Sequence, residues 1–367
     1  MTAASTPTKT RRKVKETRYI GIDVGKRRCQ ACIIDDEGSV REEFNFNNTS
    51  DGIRNLLDRA SSTECKAVLE STGNLWIRLY ETLENHGVEV KLANPNKTKA
   101  IASARIKTDK LSARILAHLL RADLIAECHV PPRDVRAVRA LLRQRESLVK
   151  IQTMAKNQTH ALLDKNGFKS EWSDLFGVHG MESLRNLRLD PVDRCILDTQ
   201  IKHIECIKDQ LSFLDSRIAS HAIRSEDARL LMTLTGINYH SGLLIAKEIS
   251  DIQRFPSPKQ LVSWIGLCPS LHQSGNSLYM GRMKRDSNKR VRWILIEAAR
   301  VASKRDPRMK QLYERAASRS GENKAIVKVA NKMATIIWHM LTKRQPYHQM
   351  KHELYQSKLK KIHAIAS

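Results

Sequence analysis

The sequence predicts an α/β N-terminal domain, a pair of long helices, and a small, mostly helical C-terminal domain. Three observations predict it. Short apolar runs alternate with amphipathic segments up to residue 94. Apolar residues then recur every seven positions on two long segments. Beyond residue 228 the helical segments are short and punctuated by Gly and Pro. A length of 367 residues fits two or three domains at roughly 150 residues each.

Residues 1–17 are rich in Ser, Thr, Lys and Arg, with Glu16 the sole acid, and are expected to be a disordered basic arm. The domain at 18–132 opens with strands at 18–24 and 29–35, a DDEGS hairpin turn, and a third strand at 40–46. Ile53, Leu56 and Leu57 are spaced as on a helix. A buried strand at 66–72, a helix at 74–86 and a strand at 88–94 follow, so antiparallel and parallel pairing mix in one sheet. LSARILAHLLRADLI at 111–125 is a strong helix that the prolines at 131 and 132 close off.

A region at 133–225 carries Leu141, Leu148, Ala155 and Leu162, then Leu197, Ile204, Leu211 and Ile218. This heptad spacing on two helices predicts an antiparallel coiled-coil hairpin, with an ordinary helical bundle as the alternative. The C-terminal domain spans 226–347, with helices at 258–266, 288–303 and 322–341, and 348–367 reads as a frayed basic tail.

Charge narrows the function. Lys and Arg number 64 against 39 Asp and Glu, a net +25 spread along the chain, so the favoured partner is nucleic acid. No stretch of 18 consecutive apolar residues predicts a membrane span, and no secretory signal is recognisable. Seven scattered Cys fit reduced thiols in a cytosol. Cys29 and Cys32 form a lone CxxC on a strand, which points them to opposite faces and argues against zinc.

Three constellations carry chemistry. Asp23 in GIDVG ends the first strand, Glu70 ends a later one, and Asp109 in KTDK starts a helix. Acids in that order are laid out as in ribonuclease-H-like nucleases, where clustered carboxylates hold two Mg²⁺ ions. Taken singly, Asp109 is an ordinary helix cap and Glu70 a partner for Lys. Ser274-Gly275 places a hydroxyl on a turn, followed by Arg282, Lys284, Arg285, Lys289, Arg290 and Arg292, six cations in eleven positions. These suit DNA phosphates, beside which a Ser could attack a phosphodiester; the same dipeptide also marks a simple turn. Leu234-Thr235-Gly236-Ile237 between two helices resembles a helix-hairpin-helix whose backbone N–H groups would face phosphate, or else is a helix corner.

GIDVGKRRCQACIIDDEG, LESTG, NPNKTKAIASARIKTDKLSARILAHLLRADLI and VPP resemble, in this order, the N-terminal half of the DEDD transposases of insertion-sequence family one-ten, to which Piv-type DNA invertases are related. The segment from LTGINYHSGLL to VRWILIEAA resembles their C-terminal domain, so the resemblance runs from about Tyr19 to Tyr347. It implies an RNase H-like (RuvC-like) N-terminal domain, a coiled-coil middle and a small C-terminal transposase domain. By motif, Asp23, Glu70 and Asp109 are the first three acids and Ser274 the nucleophile of a covalent phosphoserine intermediate. Mg²⁺ (or Mn²⁺) is the implied cofactor. Implied partners are donor and target DNA, a structured bridge RNA, and further copies of the chain as dimer or tetramer, with the metal site of one subunit meeting the Ser of another. The family's fourth acid falls where this chain has Ser112. Either Ser112 takes that place in the metal site by positioning a water, or three acids suffice, or activity is altered. Asp123 lies about three helical turns on, too far along the axis to substitute. The expected location is the cytoplasm, at the nucleoid.

Three other functions compete with an RNA-guided recombinase. A Piv-like invertase or RuvC-like junction nuclease would need no RNA, and the nuclease would not need Ser274. A sugar kinase reading of GIDVGK lacks the second phosphate and adenosine motifs it requires. A non-catalytic nucleic-acid binder would treat Ser112 as the mark of a dead site.

Overall fold

The computed structural model describes residues 17–60, 64–70, 73–101, 108–169, 171–274, 277–283 and 286–366, with the backbone alone at 271–274, 277, 278, 280 and 282. Apart from Thr17, the basic arm therefore lies outside the described residues. The chain divides into two compact units, one ending at Val130 and one beginning at Pro131.

The first unit is built on a five-stranded sheet: β1 (Thr17–Asp23), β2 (Arg28–Ile34), β3 (Val40–Asn47), β4 (Glu64–Glu70) and β5 (Glu89–Ala93). The order is β3-β2-β1-β4-β5. β2 runs antiparallel to β1 and to β3, while β4 is parallel to β1 and β5. The predicted DDEGS turn joins β2 to β3. Gly38 takes φ +89° and its N–H donates to the Asp35 carbonyl at 3.1 Å, a left-handed position that a side chain would strain. Asp35 also accepts from Ser39 N at 2.8 Å and pairs with Arg41 at 2.7 Å.

Helices α1 (Ser50–Ala60) and α2 (Trp76–Asn85) cover one face, sinking Ile53, Leu56, Leu79 and Leu83 against Ile20, Ile22 and Leu69. After the short α3 (Pro95–Ile101), α4 (Asp109–Arg121) covers the other face. Gly21 makes that second contact close. A Cβ there would stand 2.0 Å from the Ala113 carbonyl oxygen and 2.4 Å from the Ala117 nitrogen.

The second unit is mostly helical. It begins with two long helices, α5 (Arg133–Lys165) and, after α6 (Val178–Asn186), α7 (Pro191–Arg224). They pack antiparallel: Arg145 grips Asp215 with two hydrogen bonds of 2.6 and 3.2 Å, and Lys165 holds Asp193 at 2.8 Å. The hydrogen bond from Lys165 keeps the Asp193 carboxyl below its ordinary range. Leu148, Ala155 and Leu162 on α5 and Leu197, Ile204 and Ile218 on α7 are all buried, so the seven-residue spacing marks the inner faces of this pair.

Next come α8 (Glu226–Met232), α9 (Tyr239–Ile249) and α10 (Pro258–Ile265). A two-stranded hairpin follows, β6 (Pro269–Ser274) with β7 (Ser277–Met283), then α11 (Lys289–Arg305), α12 (Pro307–Ser320), α13 (Glu322–Lys343) and α14 (His352–Ala366). Their core gathers Leu231, Ile245, Leu261, Leu295, Val329 and Ile337 among others. The segment after residue 347, read from sequence as a basic tail, carries α14. Its Ile362 is fully buried, and Lys358 donates to the Met232 carbonyl at 2.7 Å.

Among the described residues no helix is long and apolar enough to cross a membrane.

Candidate active site

β1 and β4 are parallel neighbours in which Ile22 stands opposite Leu69. One residue further, Asp23 and Glu70 end the two strands together. Side chains alternate along a strand. Ile22 and Leu69 enter the core under α1 and α2, so Asp23 and Glu70 turn to the opposite face, on which Tyr19 and Val68 meet α4. Both carboxylates are half-buried.

The direction of α4 follows from its far end. Arg121 donates to the Asp36 carbonyl at 3.0 Å, and Asp36 accepts from Thr17 N at 3.0 Å, where β1 begins. The first turn of α4 therefore lies toward the other end of β1, the end that carries Asp23. Asp109 is exposed in that turn. The helix cap is Thr108, whose hydroxyl accepts from Leu111 N at 3.2 Å, so Asp109 is not needed for it. An ion-pair clamp fixes the rotation of the turn: Glu43 on β3 binds Lys110 at 2.8 Å and Arg114 at 2.7 Å, one helical turn apart.

Ser112 is the informative residue of this corner. It is 7% exposed, and its hydroxyl is buried with no hydrogen-bond partner among the described residues. An orphaned buried hydroxyl is costly, and native proteins satisfy such groups. Asp23, Glu70, Asp109 and Ser112 offer oxygen donors only, the set that suits a hard divalent cation. In this arrangement no three Asp, Glu, His or Cys are gathered closely enough to hold a metal among the described residues. Residues 71–72 and 102–107, beside Glu70 and Asp109 in sequence, lie outside those described. Asp123 sits beyond the end of α4 and pairs with Lys91 at 2.9 Å, away from this corner.

Ser274 is the last residue of β6 and pairs with Ser277 of β7. It therefore stands at the far end of the hairpin, next to residues 275–276, which are outside those described. Sequence reading took Ser274 as a turn and missed the two strands. The signal was present: Leu278 and Met280 alternate with polar residues after a Ser-Gly-Asn turn.

The six cations divide. Lys284 and Arg285 lie outside the described residues, and Arg282 is placed by backbone alone, on β7. Lys289 is exposed at the start of α11. Arg290 and Arg292 have partners within the protein: Arg290, also exposed, binds Glu146 at 2.8 Å, and half-buried Arg292 donates to the Gly266 carbonyl at 3.4 Å.

The Leu234–Ile237 corner is buried. Leu234 and Ile237 are fully covered, and a Cβ on Gly236 would stand 2.4 Å from the Ala298 carbonyl oxygen of α11. The segment packs as the corner between α8 and α9. The CxxC thiols do diverge. Cys29 enters the core beneath α1 and α2, and Cys32 the layer beneath α4. Burial, then the Glu43 carboxylate, pushes the Cys32 thiol up to about 11, so it stays protonated at neutral pH.

Two family models match the chain. A transposase model of DEDD, IS110 type covers residues 20–167, and one for the transposase IS116/IS110/IS902 family covers residues 228–314. Together they span more than half of the chain. The chain is 28% identical to a transposase for insertion sequence element IS1111A from Coxiella burnetii, across 92% of this chain and 93% of that protein. It is 25% identical to a pilin gene-inverting protein of Moraxella bovis, across 91% and 99%. A transposase for insertion sequence element IS1328 from Yersinia enterocolitica is 24% identical, across 88% and 96%.

Proposed function

The chain belongs to the IS110 family of transposases, and from that premise we propose that it is a Mg²⁺-dependent, bridge-RNA-guided recombinase whose Ser274 attacks a DNA phosphodiester. The observation that carries the reading is that Asp23 and Glu70 end adjacent parallel strands, on the face that α4 covers, while the buried hydroxyl of Ser112 in the first turn of α4 has no hydrogen-bond partner among the described residues. The strand order β3-β2-β1-β4-β5, with its first three strands antiparallel, supports an RNase H-like unit of the RuvC kind. The antiparallel α5 and α7 pair, with its seven-residue apolar spacing, supports a coiled coil.

Asp23 and Glu70 would hold the cation (Mg²⁺, or Mn²⁺ in its place), with Ser112 and Asp109 completing the oxygen set from α4. The bound cation supplies charge stabilisation to the phosphate oxygens as the transition state forms. Ser112 is neutral, so the site would carry one negative charge fewer than a four-acid set and would hold a cation correspondingly less tightly. The Ser274 oxygen forms a bond to phosphorus while the phosphodiester's bond to the leaving sugar oxygen breaks. That oxygen takes up a proton equivalent to the one Ser274 loses. The reverse step, with the hydroxyl of a second strand attacking the phosphoserine, releases Ser274 and leaves the strands exchanged. The net +25 keeps both nucleic acids close, and Lys289 remains an exposed cation near the hairpin in sequence. Further copies of the chain would bring donor and target DNA together.

A second reading drops the RNA, and the likeness to pilin gene-inverting proteins favours it. The two separate in one experiment. The gene is expressed with its native flanking DNA, the protein purified at high salt, and the retained RNA sequenced. High salt strips generic phosphate contacts. One discrete structured RNA encoded beside the gene is the expected result. A smear of cellular RNA, or none, would overturn guidance by RNA and leave an invertase-like recombinase.

A further inference from the structure

Ser274 stands at the far end of a hairpin, so its position depends on the hairpin's base. β6 alone spans roughly 17 Å at about 3.3 Å per residue, and a tilt of about 5° at its foot moves the tip by roughly 1.5 Å. Misplacing a reacting atom by that much is costly to a transfer reaction. The base of this hairpin is stapled.

On the β6 side, Gly266 closes α10 at φ +81°, and a Cβ there would stand 2.5 Å from the Ser287 hydroxyl. Asn331 of α13 donates to the Leu267 carbonyl at 3.1 Å. On the far side, Asn288, five residues beyond β7, donates its backbone N–H at 2.9 Å to the carbonyl of Trp264, five residues before β6, joining the segments that lead into and out of the hairpin. The Asn288 side chain then works at both ends. Its oxygen caps α11 by accepting from Val291 N at 3.0 Å, and its Nδ2 donates to Glu248 at 2.9 Å.

Glu248 belongs to α9 and is 6% exposed. A buried carboxylate is expensive unless it is neutralised and hydrogen-bonded. Here Arg143 of α5 stands 3.5 Å from its Oε1 and Arg139 stands 3.9 Å from its Oε2. Arg139 is itself locked, donating at 2.8 Å to the carbonyls of both Lys247 and Glu248. A hydrophobic residue at 248 would serve the core without these charges. The chain instead keeps a carboxylate that accepts from Asn288, a neutral residue on the segment leading out of the Ser274 hairpin.

We infer that Glu248 and Asn288 are positioning residues for Ser274. They tether the hairpin's base to the rigid α5 and α9 frame and so set where the nucleophilic oxygen stands. The inference rests on the reading of Ser274 as nucleophile.

The test exchanges donor and acceptor in the full-length protein. Recombination junctions are counted in cells carrying the gene in its native flanking DNA, and melting temperature and DNA binding are measured on purified protein. Asn288→Asp keeps the cap on α11 but turns an acceptor toward Glu248, and it should lower junction formation about tenfold or more with DNA binding retained. Glu248→Gln keeps an acceptor for Asn288 but removes the charge that Arg139 and Arg143 face, so alone it should lower junction formation, though less than Asn288→Asp does. Combined with Asn288→Asp it supplies the missing donor and should restore junctions to within about threefold of wild type, a coupling that lost stability would not produce. Asn288→Ser caps α11 without reaching Glu248 and without adding charge. It should reproduce the defect with a smaller fall in melting temperature than Asn288→Asp, since it removes one hydrogen bond from Glu248 but sets no second carboxylate against it. This covers the case of an unstable Asn288→Asp. Wild-type junction counts in both Asn288 variants would overturn the inference. So would a defect that the double variant does not relieve. Failure of the underlying reading looks different: Ser274→Ala would then recombine like wild type whatever Asn288 does.

Discussion

Asp23→Asn is expected to lower strand exchange by about 10³-fold or more while leaving the fold and DNA binding intact. The substitution preserves size and removes one charge at the end of β1, one residue past the Ile22–Leu69 pairing, as Glu70 is on β4. Ser112 adds no charge to the set, so the loss leaves little to hold a divalent cation. Removing charge stabilisation from a transfer site costs on the order of 10²–10³ even where other groups remain. Junction counts in cells give the size of the effect. Mg²⁺ titration of the purified variant should show weakened binding alongside. An Asp23→Asn protein that recombines at the wild-type rate would remove β1 from the chemistry.

Gly21→Ala is the second large effect, and it acts on the frame. Its new Cβ would meet backbone atoms of α4 at 2.0 and 2.4 Å, with no flexible side chain to move aside. The helix must lift off the sheet. Overpacking of this kind costs about 3 kcal/mol, which lowers the melting temperature of a unit this size by roughly 10 °C. The same displacement shifts the first turn of α4, with Ser112 and Asp109, relative to the end of β1, so molecules that do fold should exchange DNA poorly. Gly87→Ala is the control. Gly87 has φ +77° with nothing within 4 Å of the built Cβ, so only backbone strain of about 1 kcal/mol is expected. Equal losses at the two positions would refute the close-approach explanation.

Local pattern made much of this architecture readable. The strands of the first unit, the Asp35–Gly38 turn and the inner faces of α5 and α7 follow from periodicity that any window of the sequence displays. So does the placement of Asp23 and Glu70 at strand ends and of Asp109 in a first helical turn. The pairing of β1 with β4, which makes neighbours of two residues 47 positions apart, needed the sheet order. The fates of Arg290 and Arg292 were not readable. A run of cations looks the same whether it faces phosphate or a glutamate, and the partner of Arg290 is 144 residues away. Glu248 was passed over for the same reason, since one acid within an apolar helix gives no sign that Asn288 waits for it. The hairpin under Ser274 is hard to read because its strands are short and β6 (PSLHQS) has Leu271 as its one large aliphatic residue, so the Ser-Gly turn signal dominates.

The most direct test of the account is to trap the covalent complex. Wild-type protein carrying whatever RNA it retains is mixed with Mg²⁺ and DNA of its native flanks, denatured, and digested, and the DNA-linked peptide is identified by mass spectrometry. One phosphodiester-linked peptide is expected, modified at Ser274, absent without divalent cation and absent from Asp23→Asn and Ser274→Ala. Recombined DNA with no protein link, or a link at another residue, would contradict it.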